Sequence, residues 1–248
     1  MSRALIACCC VRLVMPLIGI AAEPVTSIVH GQPAWALSSD TVELAVTELG
    51  GHMAPVTFDR QGKHPVRPYY VSPWQEEGLT LEPPVLVPLR GDFFCLPFGG
   101  NAEPFRGESH PPHGETAGAR WQVVGSDSRD GVHTLTLEIA TKVRPGKVTK
   151  ELSLVDGQNV VYSRHRIEGF AGPAPLGHHA TLRLPESAET FLVQSSPFAL
   201  GMTCPVQFSS PASREYQSLG VGERFTSLTS VPTLWKEPSS TDASLFPA

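Results

Sequence analysis

His133-Thr-Leu-Thr-Leu-Glu-Ile139, Val148-Thr-Lys-Glu-Leu-Ser-Leu154 and Val160-Val-Tyr-Ser-Arg-His-Arg-Ile167 alternate apolar and polar residues along their length. Successive side chains of a strand point to opposite faces, so this is the pattern of strands with one face in a core and one in water. Asp130-Gly131 precedes the first stretch, and Val155-Asp-Gly-Gln-Asn159 separates the last two. An Asp-Gly pair supplies the positive φ angles of a tight hairpin turn. The run from Trp121 to Gly169 therefore predicts a meander of three hairpin-linked antiparallel strands. Val42-Glu-Leu-Ala-Val46 adds another strand, and from Trp35 onward no apolar stripe at helical spacing competes with the alternation. The fold class this predicts is an all-β antiparallel sandwich.

Composition agrees with short elements joined by turns. Of 248 residues, 22 are Gly and 24 Pro, 17% are charged and 41% hydrophobic. That is too apolar for a disordered chain and poor in charge for one built of long exposed helices. A net charge of −5 without a basic block speaks against a nucleic-acid partner. Cys8, Cys9 and Cys10 form one run, leaving Cys95 and Cys204 in the body with no CxxC spacing, so a disulfide scaffold is not expected. Residues 1–24 place Arg3 and Arg12 before an apolar Leu13–Ile20 stretch and small Ala21-Ala22. They read as a cleaved export signal, as a translated leader outside the fold, or as an anchor; the apolar run is short of the roughly 20 residues of a spanning helix, so no stable membrane insertion is expected. Residues 25–248 read as one sandwich domain, cytoplasmic unless residues 1–22 are a signal that is removed.

Ser72–Pro88 and Asp92–Ala119 break the alternation and are expected to be loops. Long loops on a rigid scaffold concentrate function. The second, with Arg90 just ahead of it, gathers Asp92, Asn101, Glu103, Glu108, His110, His113 and Glu115. In His110-Pro-Pro-His113 two prolines stiffen the backbone between two imidazoles. A further focus is Gly177-His-His-Ala-Thr-Leu-Arg-Leu-Pro185. On a strand only one of His178 and His179 can face a given pocket. Imidazoles near neutral pH suit acid–base work or hydrogen bonding to hydroxyls. His110, His113, Glu115 and a strand histidine would also be Zn²⁺ ligands by type, although no diagnostic spacing is present, and neither metal nor cofactor is expected.

Leu89-Arg-Gly-Asp-Phe-Phe-Cys-Leu-Pro-Phe-Gly99, then His110-Pro-Pro-His-Gly-Glu115 and Trp121, resembles the galactose mutarotase superfamily, in particular its glucose-6-phosphate 1-epimerase-like branch. Gly50-Gly-His-Met-Ala-Pro-Val56 and Leu176–Pro185 resemble an early strand of that family and the strand bearing its catalytic histidine. The resemblance runs from Trp35 to Pro185. It implies a β-supersandwich, a monosaccharide or sugar-phosphate ligand, and interconversion of sugar anomers by a histidine acid and a carboxylate base. Carried over by position, His179 or its neighbour His178 is the acid. Arg90 and His113 match family positions that bind the sugar, and Asp92, Asn101 and Glu115 are expected to line the same site. Asp92 stands where the branch has glycine, and Thr181 where an aromatic residue is common. The base carboxylate is expected beyond Ala248, with the sandwich incomplete at its C-terminus, or is replaced by a local carboxylate such as Glu115 or Asp92; the alternative function is a non-catalytic carbohydrate-binding module.

Overall fold

The computed structural model describes residues 24, 26–101, 103–187, 190–207, 209–213 and 216–246, so the proposed leader lies almost wholly outside the described residues. Within the span read as one domain the chain divides into two compact units, at Leu182/Arg183. In the first unit β1 (Thr26–Val29), β2 (Gln32–Ser38), β3 (Glu43–Thr47), β4 (Met53–Thr57) and β5 (Asp92–Cys95) are followed by a helical turn α1 (Glu115–Gly118). Then come β6 (Gln122–Arg129), β7 (Val132–Thr141), β8 (Gly146–Val155), β9 (Tyr162–Glu168) and β10 (Gly177–Ala180). One sheet has the order β1-β2-β3-β4-β5-β10 and the other β6-β7-β8-β9, every ladder antiparallel. The fold is an all-β antiparallel sandwich.

The meander has four strands where the alternation predicted three. Asp130 and Gly131, at φ 52° and 74°, form the tight β6–β7 turn. At the β8–β9 connection only Gly157 takes a positive φ, 76°. The Asp156 carboxylate accepts the Asp40 N–H while Asp40 accepts that of Gly157, so this loop is tied to the other sheet. The larger correction is β5, which falls inside the segment read as a loop. Phe93, Phe94, Cys95 and Leu96 are all buried, and a strand covered on both faces shows no alternation.

The main core lies between the two sheets, where Trp35, Leu37, Leu44, Val46 and Phe94 meet Leu135, Leu137, Val148, Leu152 and Leu154. Packing of that kind is the largest favourable contribution to a fold. Phe93 and Cys95 point to the opposite face of β5, into a smaller cluster with Val85 and Ala117. The second unit contains three two-residue strand pairs: β11 (Phe191–Leu192) with β16 (Leu245–Phe246), β12 (Gly201–Met202) with β13 (Arg224–Phe225), and β14 (Val231–Pro232) with β15 (Ser240–Thr241). Among the described residues no helix is long and apolar enough to cross a membrane.

A lysine is buried inside the sandwich. Lys150 on β8 is 3% exposed, its Nζ donates to Gly51 O at 2.6 Å and lies 5.0 Å from the Trp121 ring. Burial pushes its pKa down to about 8. The unfolded lysine holds its proton to about 10.5, so between pH 8 and 10.5 the unfolded chain binds more protons and stability rises with pH. At pH 7 the full cost of the buried charge is present. Lys150→Met is expected to raise stability at pH 7 by about 1 kcal/mol or more and to flatten the rise above pH 8. Urea titrations at pH 7 and 10 measure both; a destabilised variant with the alkaline rise intact would show that the ammonium is well accommodated.

Candidate functional site

The site is built on β5 and β10, which pair with Phe93 opposite His179 and Phe94 opposite His178. Adjacent residues of each strand point to opposite faces, so the two histidines serve two surroundings. His178 lies on the face of Phe94, and His179 on that of Phe93.

On the Phe93 face the rings form a column. His52 stacks on Phe93 at 4.0 Å and 8°, and His179 lies near Phe93 at 4.8 Å and 13°. His113 meets His179 edge-on, with centroids 5.0 Å apart, and Phe98 closes the far side 5.4 Å from His113. His52 is fully buried; its Nε2–H donates to Ala117 O at 2.9 Å, and its Nδ1 receives the Arg90 N–H at 3.4 Å. Those partners fix the neutral tautomer, and burial pushes its pKa down to about 3.

His113 is delivered by a strained turn. It takes φ 62° and Gly114 φ 79°, and the His113 N–H donates to Gly99 O. A Cβ on Gly114 would stand 2.0 Å from Leu96 O, so only glycine permits this approach to β5. Thr116 of α1 completes the attachment: its hydroxyl donates to Phe94 O at 2.8 Å and accepts the Leu96 N–H at 3.1 Å. The Trp121 indole N–H donates to Thr116 O at 2.9 Å. The His-Gly-Glu-Thr segment and the downstream Trp are thus one rigid assembly that carries the His113 ring.

Nδ1 of both His113 and His179 is buried with no hydrogen-bond partner among the described residues. Leaving a buried polar atom unpaired costs about 1–3 kcal/mol, so two such atoms on adjoining rings are an unusual feature of this cluster. Burial, reinforced by the neighbouring His179, holds the His113 pKa below the usual histidine value. No partner fixes either ring's tautomer. Each can place its proton on either nitrogen as a ligand demands.

Other residues expected at this site are committed elsewhere. Arg90 is fully buried and donates to Pro88 O at 3.1 Å, Val29 O and His30 O at 2.8 Å each, and the Gln75 side-chain oxygen. It is a clamp on the β1–β2 turn, which corrects its reading as a sugar contact. Glu115 accepts the backbone N–H groups of Lys142 and Val143, at 2.8 and 3.0 Å. Asn101 donates to Glu103 O and Glu108 O and accepts the His110 N–H, bracing its own loop. The His110 ring bonds Glu108, which the Arg144 guanidinium also grips at 2.7 Å. Those two partners hold the Glu108 carboxyl down to about 2. His110, His113 and Glu115 therefore do not converge, and among the described residues no three ligand-type side chains gather at a metal-binding distance. Asp92 lies across the sheet from His113, bonded to His178. Sequence reasoning did not single out His52, Phe93, Phe98 or Thr116, although Gly50-Gly-His52 and the Phe93-Phe94 pair were the visible signals.

No protein-family profile matches the chain, and no curated protein does. A solved structure does. The chain is similar over 56% of its length to the "putative mutarotase (YeaD)" of Salmonella typhimurium, at 16% identity and a TM-score of 0.40. The similar stretch spans 46% of that protein, less than half its length.

Proposed function

We propose that the His113–His179 face binds an unphosphorylated pyranose and that His179 supplies the proton for opening its ring, as in aldose 1-epimerases. The observation that carries this is the pair of rings with unpartnered Nδ1 atoms over the Phe93 stack. A neutral imidazole gives one hydrogen bond and accepts one, which matches vicinal hydroxyls, and the Phe98 ring offers an apolar face to the C–H side of a sugar. In its imidazolium form His179 gives a proton to the ring oxygen as the ring opens and takes it back from the same oxygen on reclosure. Commitment of Arg90 to backbone carbonyls leaves a phosphate without the guanidinium it would need, hence the neutral ligand. Among the described residues no carboxylate hydrogen-bonds to either ring, and that favours the second reading, a module that holds the sugar without turning it over.

Calorimetric titration with glucose and galactose tests the binding. His113→Ala is expected to weaken the affinity of whichever hexose binds by several-fold, the worth of one neutral hydrogen bond at about 0.5–1.5 kcal/mol. Polarimetry on a freshly dissolved single anomer separates the two readings. His179→Gln should cut any catalysed mutarotation by 10²–10⁴-fold, the usual share of one acid–base group. Unchanged binding in His113→Ala for every hexose would remove that face from carbohydrate recognition.

A further inference from the structure

Across the sheet from the proposed sugar face, the Asp92 carboxylate and the His178 ring meet, Oδ1 to Nδ1, at 2.7 Å. With the carboxylate as acceptor, Nδ1 carries a proton, so the orientation of this ring is fixed, unlike that of His113 and His179, and Nε2 is its remaining polar atom. The pair borders a cavity of about 390 Å³ between the edges of the two sheets. Met53, Phe58 and Val161 make part of its wall apolar, while Tyr69, Asn159 and Ser163 contribute polar atoms. His165 stands behind, stacked on Phe94 at 4.0 Å and 5.1 Å from the His178 ring, with a buried Nε2 that has no partner among the described residues. Asp92 acts electrostatically on the buried Lys150, whose hydrogen bond goes to Gly51 O.

The Asp92 carboxylate and the His178 ring therefore both line this cavity, and among the described residues that line it there is no lysine or arginine to hold an anion. We propose that the cavity is a second binding site, specific for a neutral amphipathic molecule that presents two adjacent hydroxyl donors to Asp92 and His178 and its hydrocarbon body to Met53, Phe58 and Val161. Asp92 begins β5, where the strand register places it beside His178. Its carboxylate orients His178, and the site is independent of the pyranose reading because His178 and His179 lie on opposite faces of β10.

The probe is trans-1,2-cyclohexanediol, with cyclohexanecarboxylate as its anionic counterpart, followed by the histidine ring resonances of the whole chain labelled with ¹³C-histidine. The diol is expected to shift His178 and His165 saturably and to leave His113 and His179 in place, while the carboxylate shifts none of them. Asp92→Asn keeps the side chain's size but removes the charge, and should weaken the diol by roughly ten-fold, as charge-assisted bonds are about twice as strong as neutral ones. His178→Phe should abolish the shift at His165. Absence of a saturable shift at His178, equal binding of the carboxylate, or full affinity in Asp92→Asn would each overturn the proposal. Shifts confined to His113 and His179 would overturn it too and would instead support the sugar face.

Discussion

Lowering the pH from 7 towards 4.5 is expected to destabilise the fold steeply, with two buried imidazoles as the principal cause. His52 is held neutral by burial, its pKa pushed down to about 3. His165 is pushed down to about 2 by burial, then by the charges of Lys150 and His178. In the unfolded chain both titrate near 6.5. Below pH 6.5 the unfolded state thus binds protons that the folded state refuses. The stability these rings allow is complete above pH 6.5 and is lost as the pH falls towards their folded values. Each refused proton costs about 1.4 kcal/mol per pH unit, so two give a slope approaching 2.7 kcal/mol per unit between about pH 6 and 4. His52 also shows why protonation cannot be absorbed locally. A second proton on Nδ1 would point at the Arg90 N–H that now donates to it.

Proton uptake during urea unfolding at pH 5 measures the effect directly. His165→Phe keeps the stack on Phe94 and should take up about one proton fewer than the parent, with a shallower loss of stability in acid. Uptake unchanged by that substitution would show that His165 is already protonated in the folded state.

The strands β7 to β9 were legible because each has one wet face, and alternation reports that condition. β5 was not, since Phe94 is covered by the main core and Phe93 by the imidazole stack. That His178 and His179 diverge follows from strand geometry alone. What each would meet does not, because the neighbour of β10 is β5, more than 80 positions earlier, as the His178–Asp92 bond illustrates. Asp92 could be read from the sequence only as a carboxylate at the rim of a sugar pocket; the register of two distant strands decides that it orients His178 on the opposite face. His113 was legible for the opposite reason. The glycine after it, the hydroxyl of Thr116 and Trp121 all lie within a few residues, and the turn they build is local.

Arg90 presents the sharpest contrast between residue type and residue role. An arginine ahead of a glycine turn in a polar loop suggests a ligand contact, yet its side chain has no exposed surface. His30 and Gly31, at φ 45° and 73°, form the two-residue turn between β1 and β2, and the guanidinium accepts no competitor there because Val29 O, His30 O, Pro88 O and Gln75 already take its donors. Gln75 is itself fixed by donating to Val87 O at 2.8 Å. The clamp joins the first hairpin to the 73–90 segment and brings the Arg90 N–H to His52 Nδ1, beneath the ring column of the proposed site. Burial pushes the guanidinium pKa down to about 10, which leaves it charged at neutral pH. Arg90→Ala removes a donor from four acceptors at once, and is expected to cost about 3–5 kcal/mol, the upper range for loss of a buried polar network. Arg90→Lys should recover little, because one ammonium cannot span a planar fork of contacts. Gln75→Leu should cost less than Arg90→Ala, as it removes one of the four partners. Urea unfolding followed by tryptophan fluorescence compares the three variants, with Trp35 and Trp121 buried as reporters. A loss below about 1 kcal/mol in Arg90→Ala, within the range of an ordinary surface substitution, would return this residue to the list of groups free to meet a ligand.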